Sequence, residues 1–179
     1  IDEAGRGPLA GPVVASAVIL PDLLSNSDYE QWEGINDSKK LSAKKRERLY
    51  NRIIEYPKAY VGIGIVSERK IDEINILRAT QMAMRIALNN LPVIPQFVLV
   101  DGMTIPDVKI RQQKIINGDC LSLSIASASI IAKVTRDNIM RDYHQKYPQY
   151  GFNRHKGYGT KEHFRLLKQY GYCRIHRKS

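Results

Sequence analysis

Five turn-forming residues, Gly5, Gly7, Pro8, Gly11 and Pro12, fall within eight positions and run straight into a strand-like stretch, residues 13–20. Glycine and proline at that density force a hairpin-like reversal, so the residues ahead of Gly5 must fold back on the strand that follows. Those residues are Ile1, Asp2, Glu3 and Ala4, and Arg6 stands between the two glycines. A chain that obeys this reading puts two adjacent carboxylates and a guanidinium at one backbone corner. Carboxylates hold hard divalent cations, while an arginine and uncovered N–H groups hold phosphate or sugar oxygens. Glycine lets such a ligand approach the main chain. The plainer alternative for Asp2-Glu3 is a solvated charge pair at a strand end.

The rest of the chain alternates strand-like and helix-like patterns. Residues 59–66 place Val61, Ile63 and Ile65 on one face of a strand, expected to pair antiparallel with 13–20. Between the two, Ser42 caps a predicted helix in which Leu49, Ile53 and Ile54 form an apolar stripe. Its outer face carries Lys44, Lys45, Arg46, Arg48 and Arg52. After Ser67, Leu77, Met84, Leu88 and Leu91 recur at near-helical spacing up to Asn89-Asn90 and Pro92. Residues 97–100 form a short apolar run suited to a strand covered on both faces, so Asp101 falls at a strand's carboxyl end, where open α/β sheets bind ligands. An edge strand is expected at 114–116, leading into Gly118-Asp119. A long helix follows from about 122 to 146, with small residues from Ala126 to Ala132 and Pro148 beyond its end. Thr160 and Gly171 bound a last helix whose Phe164, Leu167 and Tyr170 are expected to face inward.

With 179 residues and 43% hydrophobic content, the chain suits one domain, 1–179, with a helical C-terminal segment from about 140. The formal net charge of +10 favours a polyanionic partner over an acidic small metabolite. No apolar run approaches the roughly 20 residues that span a bilayer, and no signal-peptide pattern opens the sequence. Cys120 and Cys173 lack the spacing of a zinc site or disulfide scaffold, which fits thiols in a reducing cytoplasm. The four histidines show no metal-ligand spacing and are expected at the surface or in supporting positions. Because the sequence lacks an initiator Met and opens inside a strand, a few residues of the natural N-terminus are expected to be missing.

The run Asp2-Glu3-Ala4-Gly5-Arg6-Gly7 resembles the signature of ribonuclease HII, the type 2 ribonuclease H family. The resemblance continues in order through Asn36-Asp37-Ser38-Lys39-Lys40-Leu41, Val100-Asp101-Gly102, Gly118-Asp119, the block from Ser127 to Asp137, and His155-Lys156-Gly157-Tyr158-Gly159-Thr160. It implies an α/β ribonuclease H-like fold, a five-stranded mixed sheet flanked by helices with a helical C-terminal segment. It also implies metal-dependent endonucleolytic hydrolysis of RNA in RNA–DNA hybrids, and cleavage 5′ of ribonucleotides embedded in duplex DNA. Products would carry 5′-phosphate and 3′-hydroxyl ends, and the cellular role would be ribonucleotide excision repair by a cytoplasmic monomer.

By the same resemblance, Asp2, Glu3, Asp101 and Asp119 are the catalytic and metal-binding acids, holding two magnesium or manganese ions, with Asp2 and Asp101 closest to them. Adjacent strand residues project to opposite faces, so the Glu3 side chain joins Asp2 only if the strand bends at Gly5, and otherwise Glu3 contributes through its backbone carbonyl or an outer-shell water. Asp137 competes with Asp119, with a structural salt bridge as its alternative, and Asp119 could simply begin the following helix. Gly5, Arg6, Gly7 and Tyr158 match the family's readers of the ribose, whose 2′-hydroxyl distinguishes RNA from DNA. Lys39, Lys40, Lys133, Arg154 and Lys156 are candidates for phosphate contact. A DNA junction endonuclease on the same fold and a non-catalytic nucleic-acid-binding module remain as alternatives.

Overall fold

The structure, a computed structural model, describes residues 1–21, 32–35, 38 and 41–179. Strand β1 (Asp2–Ala4) reverses at the glycine corner and pairs antiparallel with β2 (Val13–Ile19), Asp2 opposite Ser16 and Ala4 opposite Val14. On its other side β2 pairs antiparallel with β3 (Tyr60–Val66), from Val13 opposite Val66 to Ile19 opposite Tyr60. A second ladder joins β4 (Phe97–Asp101) to β5 (Arg111–Ile115) in parallel. Two main-chain bonds connect the ladders: Ile1 N donates to Leu99 O at 2.7 Å, and Asp101 N to Ile1 O at 3.0 Å. One residue bonded to both neighbours of another is parallel pairing, here Ile1 beside Val100. The strands therefore lie in the order β3-β2-β1-β4-β5, a mixed five-stranded arrangement. β5 begins three residues before the expected edge strand, because its Arg-Gln-Gln-Lys start has no apolar signal.

Helix α1 (Ala43–Glu55) is capped by Ser42, whose hydroxyl accepts from Lys45 N at 3.3 Å. Leu49 and Ile53 are fully buried, each contributing about 2–3 kcal/mol. Ile54, expected in the same stripe, is exposed, since successive residues turn about 100° around a helix. Helix α2 (Glu68–Asn89) is interrupted at Asn75, which has φ 67° and recaps the chain by accepting from Arg78 N at 3.1 Å. The restart leaves Leu77 exposed while Met84 and Leu88 bury as expected. This helix lies directly on β3: a Cβ at Gly64 would stand 1.9 Å from Ala83 O, and one at Gly62 2.0 Å from Ala87 O. Those glycines are spaces for a helix backbone.

A short turn of helix, α3 (Gly118–Leu121), precedes the long α4 (Leu123–Lys146), whose N-cap Ser122 accepts from Ile125 N at 3.5 Å. Asp119 thus belongs to a separate turn and does not start α4. One core lies between α2 and the sheet, and a second gathers Leu49, Ile53, Ala128, Ile131 and Val134 from α1 and α4. Beside Ile1 a cleft of about 720 Å³ opens between β2 and β4, lined by Val18, Ile19, Leu20, Phe97, Val98 and Leu99. Among the described residues no helix is long and apolar enough to cross a membrane.

The C-terminal part forms a third core around Met140, Tyr150, Phe152, Leu166 and Ile175, built on α5 (Phe152–His155) and α6 (Lys161–Tyr170). Thr160 caps α6 and Gly171 ends it, as expected. The inward face differs: His163 and Leu166 are buried, whereas Phe164 and Tyr170 are about half exposed. Sequence reading overlooked His163 because an imidazole does not register as apolar. His155, His163 and His176 are all buried, correcting the expectation of surface positions for them. Hydrogen bonding fixes their tautomers. His163 Nδ1 donates to Tyr158 O (2.9 Å), so its Nε2 accepts from His176 Nε2 (3.0 Å), whose Nδ1 then accepts from Cys173 N (2.9 Å). His155 Nε2 donates to Tyr150 O (2.7 Å) while its Nδ1 accepts from Gly157 N (3.1 Å). Each ring is satisfied only when neutral.

Candidate active site

Because Ile1 pairs with Val100, the next residues along these parallel strands, Asp2 and Asp101, are cross-strand neighbours on one face of the sheet. Adjacent strands run about 4.8 Å apart, so the two carboxylates start from neighbouring backbone positions. Asp2 is 6% exposed, and its Oδ1 accepts from Glu3 N at 2.7 Å. Burial, followed by the charge of Glu3 and that of Asp101, raises the Asp2 pKa well above the ordinary carboxylate range. Glu3 meets Arg6, with Oε1 3.4 Å from Nη1, yet lies near enough for its charge to act on Asp2.

Asp101 Oδ1 accepts from Gly118 N at 2.7 Å, and a Cβ at Gly118 would stand 3.2 Å from that oxygen and 2.6 Å from Ile125 Cδ1. Gly118 therefore admits Asp101 to the start of α3, where buried Asp119 is the next residue. The structure thus brings Asp2, Glu3 and Asp101 together and ties the backbone beside Asp119 to Asp101. Among the described residues no three His, Cys, Asp or Glu side chains stand in a closed metal-binding group; Glu3 is turned toward Arg6 and Asp101 toward Gly118. The donor set is nonetheless all oxygen, as hard divalent cations require, and the charges of Glu3 and Asp101 that add to burial in raising the Asp2 pKa are what a cation offsets.

The glycine corner next to these acids is held from beneath by two arginines. Arg136 of α4 is 0% exposed and donates Nε to Pro12 O (2.9 Å), Nη2 to Ala10 O and Nη1 to Lys156 O (both 3.0 Å). Arg177 donates to Gly5 O (2.6 Å), Arg6 O (2.9 Å) and Gly11 O (2.8 Å), and burial lowers its pKa to about 10. Gly5 has φ +101°, and a Cβ there would lie 2.2 Å from Arg136 Nε. At Gly7 a Cβ would meet nothing within 4 Å. Gly5 is thus demanded by the fold, while the space at Gly7 is open.

Tyr158, 40% exposed, follows Gly157, whose carbonyl accepts from Leu9 N at 2.8 Å. Lys133 Nζ and Arg136 Cζ each stand 5.7 Å from the centre of its ring. Lys133 is also paired with Asp137 at 2.8 Å, the structural role weighed for that acid. Arg154 is ion-paired with Glu162, and Lys156 Nζ donates to Asn153 O. Lys39 and Lys40 lie outside the described residues.

The family model described as Ribonuclease HII matches residues 1–179. The chain belongs to the ribonuclease HII family. Ribonuclease HII of Acetivibrio thermocellus is 56% identical over all 179 residues, which cover 67% of that protein. Ribonuclease HII of Syntrophus aciditrophicus is 54% identical over the same span, 81% of its length. Among solved structures, the ribonuclease HII of Archaeoglobus fulgidus in complex with PCNA superimposes with a TM-score of 0.81 at 26% identity, covering 99% of this chain and 91% of that one. The ribonuclease H2 of Pyrococcus horikoshii gives 0.75 at 30%, covering 98% and 90%. As a member of this family the chain is an enzyme, a hydrolase with the ribonuclease H-like fold.

Two residues of this ribonuclease HII family member escaped sequence reasoning altogether. Arg136 stands inside a block already singled out, but a basic residue on a helix normally reads as solvated. Arg177 carries no signal, since bonds to main-chain carbonyls leave no pattern in side-chain types.

Proposed function

We propose that this enzyme is a metal-dependent endoribonuclease that hydrolyses the RNA strand of RNA–DNA hybrids and cuts 5′ of ribonucleotides embedded in duplex DNA. The cross-strand pairing of Asp2 with Asp101, directly ahead of the Gly5-Arg6-Gly7 corner, carries this reading. Asp2 and Asp101 would hold divalent cations, and Glu3 and Asp119 would complete the set; bound there, the cations would supply an activated water and offset the charge that develops on the leaving oxygen. Magnesium or manganese fits the all-oxygen donors.

The chain's own residues do the positioning. Arg6, with 48% of its side chain exposed beside Glu3, holds a phosphate oxygen near the acids. The open space at Gly7 lets a sugar reach the main chain, where N–H and C=O groups can meet both the donor and the acceptor character of a 2′-hydroxyl. The exposed ring of Tyr158 lies against the adjoining sugar. The net charge of +10 draws the duplex in.

Incubating the protein with magnesium or manganese and a DNA duplex bearing one ribonucleotide tests the reading: cleavage on the 5′ side of that residue is expected, and none in an all-DNA duplex. Equal cleavage of both would favour a DNA junction endonuclease. Asp101→Asn is expected to lower kcat by at least about 10³-fold with metal-free hybrid affinity retained; preserved turnover would remove Asp101 from the catalytic set.

A further inference from the structure

Arg136 is the only side chain described above that bonds both loops attributed to ribose reading. Its Nε and Nη2 hold Pro12 O and Ala10 O behind the glycine corner, and its Nη1 holds Lys156 O, two residues before Tyr158. Gly5 packs against the guanidinium so closely that no Cβ fits, and the Tyr158 ring lies over the same group. All three nitrogens donate to main-chain carbonyls. Burying a guanidinium on neutral acceptors is costly, and a core helix at that position would be satisfied by an apolar residue. A planar fork of fixed donors, by contrast, sets the separation of every carbonyl it binds. Arg177 provides the comparison, since its bonds reach Gly5, Arg6, Gly11 and Pro12 and none reaches the 156–158 loop.

We infer that Arg136 is a positioning residue that fixes the distance between the Gly5-Arg6-Gly7 corner and the Tyr158 ring, and so determines recognition of a single ribonucleotide against its deoxyribose neighbour. The inference rests on the reading of Tyr158 and the glycine corner as sugar contacts. Displacing Lys156 O by even about 1 Å moves the ring off its sugar, a misplacement of the size that costs orders of magnitude in rate. A long hybrid offers many registers and suffers less.

The test is a double-mutant cycle read as the ratio of kcat/KM on a single-ribonucleotide duplex to that on a continuous hybrid, assayed below the melting temperature of each variant. Arg136→Lys and Tyr158→Ala are each expected to lower the ratio about tenfold, and the double variant no further than the larger single effect. Arg177→Lys should lower thermal stability and add independently to Tyr158→Ala. Additive effects of Arg136→Lys and Tyr158→Ala, or an equal loss on both substrates, would overturn the inference while leaving the sugar-reading role of Tyr158 standing. An unchanged ratio in Tyr158→Ala alone would remove that role, and the inference with it. Should Arg136→Lys fail to fold, Arg136→Gln, which keeps part of the donor set, takes its place in the cycle.

Discussion

Gly5 and Gly7 flank one arginine and have different reasons to be glycine. At Gly5 the positive φ and the guanidinium of Arg136 leave no place for a methyl group, so Gly5→Ala is expected to cost about 2–4 kcal/mol, visible as a lowered denaturant midpoint. At Gly7 no protein atom stands in the way. Gly7→Ala should therefore keep its melting temperature within about 2 °C of the parent while losing affinity for ribonucleotide-containing duplex; unchanged affinity would exclude close approach of a ligand there. Asp2 presents a conflict of another kind. Its raised pKa means that the folded state binds a proton more tightly than the unfolded chain, so its contribution to stability falls as pH rises through the folded value. Asp2→Asn is accordingly expected to raise the metal-free melting temperature at pH 7 while abolishing cleavage. A lowered melting temperature would show that the site is not electrostatically crowded.

At the scale of elements, the site depends on the register of β1. One residue of slip would send Asp2 to the opposite face of the sheet and separate it from Asp101. Only three residues of β1 lie in the ladder to β2, although β2 continues through Val18 and Ile19 along the apolar cleft. Sequence patterns located the strands and caps well where local chemistry decides: Ser42 and Thr160 both cap helices. They failed where tertiary contacts decide. The start of β5 is polar, the restart of α2 turns on the backbone of Asn75, and the inward face of α6 is an imidazole. In the candidate site, the acids and the glycine corner were legible because their chemistry is local, whereas the arginine clamp binds main-chain carbonyls, those of the corner more than 120 residues away in sequence.

At the scale of the molecule, the C-terminal core and the glycine corner form one unit, joined by Arg177 and by the histidine network that holds Tyr158 O. Burial lowers the His176 pKa from 6.5 to about 4. Above pH 6.5 the ring is neutral in both states; below it the unfolded chain takes up a proton that the folded one refuses until about pH 4. Stability therefore falls across that window, by on the order of 3 kcal/mol in all. Asp2 acts in the opposite sense, so the loss is best followed by urea unfolding between pH 7 and 5 in the Asp2→Asn variant. A flat profile there would contradict a neutral, buried His176.

Arg177 also sets an order of events during synthesis. Its nitrogens supply the bonds that tie down Gly5, Arg6 and Gly11, residues that leave the ribosome long before it does. A nascent chain can complete its sheet and both main cores while its glycine corner rests on Arg136 without Arg177. On the proposed function, the corner is finished only once that arginine has emerged, so a half-made copy is expected to lack it in its complete form.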